Sequence, residues 1–461
     1  MTAAVSPPKE DRWLGRPRGA WPLAEAIGLA VTLGMALYTS LAFALYLCGL
    51  PYGAAASLAS LPTLCVVLLG GRLLWRARGD EPAPGHGAAP RAVTALGPAV
   101  VLLQLAYAAF VAMRAPFGSW DAWSFWALKA RMFAHGGPPP GYFHDPVLVY
   151  THPDYPLNLP LAEAALLRIP GPAGTLAAAL VGVSLFAALA LLFYAGLRRL
   201  YGSTTAALAT AVLALVPALP WQAGGGDADV PLAAYAGGAV LYLLVWWRRR
   251  HPLDAALAGL LAGGAAWTKR EGLPIAALVL LALIVAEGAN RGVSPARRAR
   301  VVAGAALGAV VIPLPWLLFL VLRHPIGTDF MPLTLPVALD NAGRIPHILW
   351  RFALETCVVD NWGVLWVMLA GALIVGARRL SAAGWGLLLL LAGQLGVYAA
   401  VYVFSGWASY TLHIQASLDR LYVQAVPLAA LALVEIAWGP RPARSGSVAA
   451  AVIGAGEVAA R

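Results

Sequence analysis

Long apolar runs alternate with short polar segments along the whole chain. A run of about 20 apolar residues matches the hydrocarbon thickness of a bilayer, where a helix satisfies its own backbone hydrogen bonds. The pattern therefore predicts an all-α polytopic membrane protein with about twelve transmembrane helices. The predicted spans are 24–47, 52–71, 93–113, 174–197, 203–220, 229–247, 253–268, 272–287, 301–322, 362–377, 384–404 and 421–439.

Composition agrees with this class. The chain has 461 residues, of which 60% are hydrophobic and only 11% charged, whereas soluble domains carry about 25% charged residues. The net charge of +11 lies in short loops and not in a basic tail with interleaved aromatics, which argues against a nucleic-acid partner. The three cysteines are scattered, with no metal-ligand spacing and no disulfide framework.

The loop charges predict the orientation. With the N-terminus inside and the spans alternating, 22 of the 32 Lys and Arg residues fall on the cytoplasmic side, as the positive-inside rule requires. Both termini are then cytoplasmic, in a cell (inner) membrane. The long loops 114–173 and 323–361 and six of the eight histidines lie outside. Long loops usually carry function, so the extracytoplasmic face is the predicted site.

The first outer loop holds a Trp-rich segment predicted to form an amphipathic juxtamembrane helix at headgroup level. Asp121 points away from its aromatic stripe, and Lys129 and Arg131 flank it. The stripe comprises Trp120, Trp123, Trp126 and Phe133. The alternative is an anchoring helix that Ser119 or Asp121 caps.

A proline-rich segment, 150–160, follows in the same loop and contains His152 and Tyr155. Its prolines predict a bent, rigid entry. The apolar stretch 157–169 after it is too short to span a bilayer, so it predicts an interfacial or re-entrant helix.

Three further outer sites carry charge. Asp227 and Asp229 stand two residues apart in a glycine-rich loop, and they either hold a metal ion or substrate or form a turn in which Asp229 caps a helix. Lys269 lies in a tight turn before Glu271, and Arg420 begins the last span. Both cations favour an anionic partner such as a lipid phosphate. The alternatives are internal salt bridges to Glu271 and Asp419, or snorkelling of Arg420.

The order of these pieces resembles the GT-C class of membrane glycosyltransferases. Within that class the chain resembles the bacterial relatives of protein O-mannosyltransferases and lipid A aminoarabinose transferases, a glycosyltransferase family 39-like group. The resemblance rests on an aromatic-flanked Asp, a Pro-rich segment, a second Asp, the turn Thr268-Lys-Arg-Glu-Gly272 and a late Arg, all on one side of the membrane. Two departures are Ala122 after Asp121, where relatives carry an acidic pair, and Asp154-Tyr-Pro-Leu157 in place of Pro-Pro-Leu.

The resemblance implies domains, a donor and residue roles. Residues 93–440 form the GT-C-like core, 1–92 a tail, two added helices and a linker, and 441–461 a cytoplasmic tail. The donor is a sugar linked to polyprenyl phosphate, and the acceptor is a glycan, lipid or protein. Asp121 is the implied catalytic base and Asp227 or Asp229 the second acid. Phosphate contacts are implied for Lys129, Arg131, Lys269 and Arg420, and the substrate pocket for Trp120, His152, Tyr155 and Glu271.

A direct displacement with inversion follows from this chemistry, and no nucleotide-binding loop is present. A divalent metal such as Mg or Mn, bound by Asp121, Asp227 and Asp229, is compatible with the sequence but not required by it. Two alternatives stand beside the transferase. The Arg- and His-rich loop 323–361 suits a polysaccharide polymerase or ligase. The many spans suit a flippase or transporter, although the charges cluster at the outer edge and no internal repeat is visible.

Overall fold

The computed structural model describes residues 21–78, 91–290, 292–327 and 329–439. In these ranges the regular secondary structure is helical, apart from one isolated β-bridge between Phe330 and Ser405. The α-helices are Trp21–Leu47 (α1), Tyr52–Arg78 (α2), Arg91–Arg114 (α3), Ala127–Ala134 (α4), Asn158–Leu167 (α5), Pro172–Ala179 (α6), Val181–Ala214 (α7), Ala218–Gly225 (α8), Asp229–Arg249 (α9), Pro252–Thr268 (α10), Gly272–Ala289 (α11), Pro295–Val311 (α12), Leu314–Arg323 (α13), Leu335–Asp340 (α14), Ile345–Glu355 (α15), Val359–Trp362 (α16), Leu365–Gly376 (α17), Ala382–Val403 (α18) and Tyr410–Trp438 (α19). Shorter turns lie at Ala122–Trp126 (π-helical), Tyr142–His144, Pro146–Thr151, Ala342–Arg344 and Ala377–Arg379. The predicted tails and most of the linker in 1–92 and 441–461 fall outside the described residues.

Eight helical segments of the described ranges are long and apolar enough to cross a membrane, or nine if the pair α12 and α13, bent by 57°, is one span. Large apolar side chains on their outer faces are exposed, including Leu68, Leu102 and Leu103. Such faces suit a hydrocarbon environment and would be a liability in water. The all-helical, multi-pass character predicted from the sequence is therefore confirmed.

The predicted count of about twelve spans is not confirmed, and the difference arises at three places. The segment 172–214 is one continuous apolar stretch, although Gly202 (φ 86°, ψ 173°) kinks it where the sequence predicted two spans. Helix α10 has only 17 residues and α17 only 12. At 1.5 Å per residue, α17 extends about 18 Å, well short of a bilayer core.

The predicted aromatic stripe in the first outer loop is wrong as a single lipid-facing surface. Trp120 and Trp123 are 65% and 49% exposed, whereas Trp126 and Phe133 are fully buried. The π-helical turn Ala122–Trp126 rotates the chain between the two pairs. The segment therefore contributes one pair of rings to the surface and the other to the core.

Helix α9 lies at the centre of the bundle, packed between α7, α10 and α19. Its residues from Asp229 to Trp246 are all buried. Small residues allow this close packing: a Cβ at Gly237 would press on Pro427 of α19, and one at Gly264 of α10 would press on Tyr235. Small-residue contacts of this kind are typical of helices packed in lipid.

Charged side chains form two layers at opposite ends of α9. The layer at its C-terminal end includes an ion pair between Arg199 and Asp254 at 3.2 Å and one between Arg248 and Glu435. From Asp229 to Arg248 the helix rises about 29 Å, close to the thickness of a bilayer core. The other layer, at the N-terminal end, contains the candidate site.

Candidate functional site

The N-terminus of α9 meets the C-terminal end of α10 and the interior of α19, which begins at Tyr410 and not at Arg420 as the sequence predicted. Asp229 is the first residue of α9, Lys269 follows the last residue of α10, and Arg420 lies in α19. Lys269 Nζ lies 2.6 Å from Asp229 Oδ1, and Arg420 Nε lies 3.3 Å from Asp229 Oδ2. Gln424, one turn after Arg420, donates to Asp229 Oδ1 at 2.5 Å. Asp229 therefore does not cap its helix but joins two cations.

The first outer loop brings the other acids to the same place. Arg420 forms an ion pair with Asp121. Ser119 Oγ accepts from the backbone N–H of Ala122 at 3.0 Å and donates to Asp227 Oδ1 at 2.6 Å. Ser119 is thus the residue that caps the turn, as one alternative from the sequence held, and it also links the loop to the glycine-rich segment.

Glycines shape the two turns that carry these residues. Gly226 adopts a left-handed conformation (φ 88°), which lets the chain reverse just before Asp227. A Cβ at Gly272 would collide with the carbonyl of Ala265, so only glycine permits the tight turn after Lys269. Lys269 Nζ also lies 3.3 Å from Glu271 Oε1. This is the internal salt bridge that the sequence gave as the alternative to a lipid phosphate.

Burial and the neighbouring charges act against each other on the pKa values of Asp227 and Lys269, and both pKa values end up raised. Burial raises the pKa of Asp227 to about 6, although the nearby charge of Arg420 and the hydrogen bond from Ser119 oppose the shift. Burial alone would lower the pKa of Lys269, but the charges of Asp229 and Glu271 outweigh it, so the pKa is raised. Lys269 is therefore protonated at neutral pH, whereas Asp227 titrates near it.

Two cavities open beside Arg420, which lines both. The larger has a volume of about 520 Å³ and the smaller of about 110 Å³. The larger is lined by Gln104, Tyr107, Ser119, Leu215, Pro217, Ala218, Pro220, Trp221, Gln222, Asp227, Asp360, Asn361, Asp419 and Arg420. The smaller is lined by Asp121, Phe125, His152, Tyr155, Lys269, Glu271, Asp329, Phe330, Val401, Trp407, His413, Ala416, Ser417, Arg420 and Leu421.

The smaller cavity contains an acid–imidazole pair that the sequence did not reveal. His152 Nδ1 lies 2.8 Å from Asp329 Oδ2, and Tyr155 donates to the same oxygen at 3.3 Å. The pKa of Asp329 is lowered: burial raises it, but the hydrogen bond and charge of His152 outweigh burial. The nearest other acid along the loop 323–361 is Asp340, so no motif spacing pointed to Asp329. Gln424, by contrast, lies one helical turn after Arg420, so the helical spacing in the sequence could have predicted that it faces the same site.

Three residues with predicted roles lie away from the two cavities. Lys129 is fully buried; its Nζ donates to the backbone carbonyl of His152 at 2.7 Å and lies 5.3 Å from the ring of Trp126. Arg131 is exposed on α4, and Trp120 packs edge-on against Trp123 at the surface. Lys129 therefore stabilises the backbone at His152 through this hydrogen bond and does not line either cavity.

The acids named as a possible metal site have other partners. Asp121 pairs with Arg420, Asp227 with Ser119, and Asp229 with Lys269. Among the described residues no group of three or more His, Cys, Asp or Glu side chains is arranged to hold a metal ion. These carboxylates thus do not fit a divalent cation without rearrangement, and no step below is assigned to one.

Comparisons of the chain with family models, with curated proteins and with solved structures find no match in any of the three.

Proposed function

We propose that the protein is a membrane glycosyltransferase that moves a sugar from a polyprenyl-phosphate donor to an acceptor at the extracytoplasmic face, with inversion. The observation that carries the proposal is the network of Asp121, Arg420, Asp229 and Lys269 between two cavities. Two acids and two cations at one end of an apolar bundle suit a reaction that removes a proton and stabilises a departing phosphate.

Arg420 is the proposed phosphate contact. Its Nη1 faces Asp121 and its Nε faces Asp229. A guanidinium has five N–H donors, so it can hold a carboxylate and a phosphate together. The donor phosphate would enter through the smaller cavity, where Lys269 supplies the second cation.

The ion pair also suggests how Asp121 becomes a base. In the structure the carboxylate of Asp121 is held in an ion pair with Arg420. A donor phosphate at Arg420 would compete for the guanidinium and free this carboxylate to accept a hydrogen bond from the acceptor hydroxyl. The acceptor oxygen then forms a bond to the anomeric carbon, Asp121 takes the hydroxyl proton, and the C–O bond electrons leave with polyprenyl phosphate.

The geometry favours transfer over both alternatives. Arg344, a candidate for a polymerase or ligase site, instead donates to the backbone carbonyls of Tyr402, Val403 and Ser405 at 3.3–3.4 Å, at the C-terminal end of α18. A flippase or transporter needs a polar path through the bilayer. Here the two charged layers lie about 29 Å apart along the buried helix α9.

The proposed topology has twelve spans, with both termini in the cytoplasm. In it the kinked segment 172–214 counts twice, α10 and α17 each count once, and α12 with α13 forms one broken span. This places the candidate site at the outer face of a cell (inner) membrane. The Arg-rich loops near Arg199 and Arg248 at the opposite end support the orientation.

Mass spectrometry of lipid-linked sugars and surface glycans tests the proposal in cells with and without the gene. We expect loss of the gene to cause one polyprenyl-phosphate sugar to accumulate and one glycan product to disappear. The parent chain should reverse both changes, Asp121→Asn should reverse neither, and Asp340→Asn, an exposed acid away from both cavities, should act as the parent. Unchanged lipid-linked sugars and glycans in cells without the gene would contradict the proposal.

A further inference from the structure

The larger cavity differs from the smaller one in charge. Three carboxylates line it, from Asp227, Asp360 and Asp419, and its single cation is Arg420. That cation already pairs with Asp121 and Asp229 outside the cavity. The space is therefore acidic, and an anionic ligand would be repelled by three carboxylates that face a single guanidinium.

One buried amide in the cavity wall has an oxygen that accepts no hydrogen bond from any of the described residues. Gln222 is only 8% exposed, and its Oε1 accepts no hydrogen bond. Buried polar atoms are almost always hydrogen-bonded, and an unpaired one costs about 1–3 kcal/mol. Because Gln222 lines the cavity, a hydrogen-bond donor on a ligand would satisfy this oxygen. The neighbouring amide of Asn361, in contrast, is already used, because it donates to Glu355 at 3.3 Å.

Aromatic rings complete the lining. Trp221 is 59% exposed and Tyr107 is 42% exposed, and both line the cavity. Flat ring faces beside carboxylates and amides match a ligand with one apolar C–H face and several hydroxyl groups. The volume of about 520 Å³ is enough for one or two sugar rings.

We propose that the larger cavity binds the acceptor, and that the acceptor is a polyhydroxylated ring compound without negative charge: a neutral sugar or, preferentially, an amino sugar. That the bound sugar is the acceptor rests on the proposed function, whereas the prediction that the cavity binds a sugar does not. Arg420 lines both cavities and pairs with Asp121, so the attacking hydroxyl of the bound ring would point towards Asp121 at the boundary between them. Asp227 would accept a hydrogen bond from the bound ring.

Three free sugars of one size test the inference: glucosamine, glucose and glucuronate. Their binding to the purified full chain in nanodiscs is measured by saturation-transfer NMR, with no donor present. We expect glucosamine to bind most tightly, glucose less tightly and glucuronate not at all. Asp360→Asn should weaken glucosamine about threefold, as for a partly exposed ion pair, and should leave glucose unchanged. Asp340→Asn is the matched control, because Asp340 is also exposed at the end of a short outer helix.

Trp221→Ala tests the stacking contact, with Trp350→Ala as its control, because Trp350 is 60% exposed on another outer helix. We expect the saturation-transfer signals of glucosamine and glucose to be lost in Trp221→Ala and kept in Trp350→Ala. Binding of glucuronate as tight as that of glucosamine, or no sugar binding at all, would overturn the inference. If sugars bind as expected but no donor is consumed in a separate transfer assay, the proposed function fails and the binding site stands.

Discussion

Replacing Lys269 with methionine should destabilise the protein strongly. Lys269 Nζ lies 2.6 Å from Asp229 Oδ1, and the side chain of Asp229 is only 1% exposed. Without the ammonium group this carboxylate keeps Gln424 and Arg420 as its partners among the described residues. Removing one partner of a buried ion pair costs about 3–5 kcal/mol, and since Arg420 remains at 3.3 Å we expect about 3 kcal/mol.

Lys129→Met is the matched control, because Lys129 is equally buried but contacts no carboxylate at bonding distance. Its ammonium donates to one backbone carbonyl, and burial, opposed by the charge of Asp154, lowers its pKa to about 7. Losing one such hydrogen bond costs about 1 kcal/mol. The double variant Lys269→Met, Asp229→Asn should recover most of the loss, since it removes the unpaired charge.

The assay is the free energy of unfolding in mixed micelles of a mild detergent and dodecyl sulfate, followed by circular dichroism. If Lys269→Met costs no more than Lys129→Met, or if adding Asp229→Asn gives no recovery, then Lys269 does not hold the buried charge of Asp229 and the site network is misread.

Three further predictions concern protons. Asp121→Asn should slow sugar transfer about 10²–10⁴-fold while the protein still folds, since it removes a general base; a rate like that of the parent would exclude Asp121 from the chemistry. The pKa of Lys129 is about 7 in the folded protein and 10.5 in the unfolded chain, so between these pH values the unfolded chain binds more protons. The free energy of unfolding should therefore rise between about pH 7 and 10.5, and this rise should be absent in Lys129→Met. The transfer rate should fall below about pH 6 as Asp227 protonates. Ser119→Ala should move that limb to higher pH, because it removes a hydrogen bond to the charged form; an unmoved limb would show that Asp227 does not control it.

The sequence predicted the membrane class and several helices closely, because one-dimensional hydropathy determines both. The prediction 229–247 corresponds to α9 at Asp229–Arg249, and 272–287 to α11 at Gly272–Ala289. It did not yield the number of spans, because hydropathy does not show whether a helix such as α17 is long enough, or whether the kink at Gly202 divides one span into two.

For the candidate site, too, the sequence predicted which residues are unusual but not the direction of their side chains, which depends on packing. The sequence singled out Asp121, Asp229 and Arg420 because charge at a membrane edge is unusual, and these side chains do contact one another. It also singled out Lys129, which is just as unusual in sequence but faces the core. The direction of a side chain from a short helix depends on the π-helical turn before it, which no periodicity predicted. The functional roles of all these residues stay predictions.

The most direct measurement follows the donor itself. The purified chain in nanodiscs is given a panel of polyprenyl-phosphate sugars with an amino sugar acceptor, and free polyprenyl phosphate is quantified by mass spectrometry. The account predicts that one donor is converted, with inversion at the anomeric carbon, and that Asp121→Asn stops the conversion. It would be contradicted if no donor in the panel were consumed, or if Asp121→Asn consumed it at the rate of the parent.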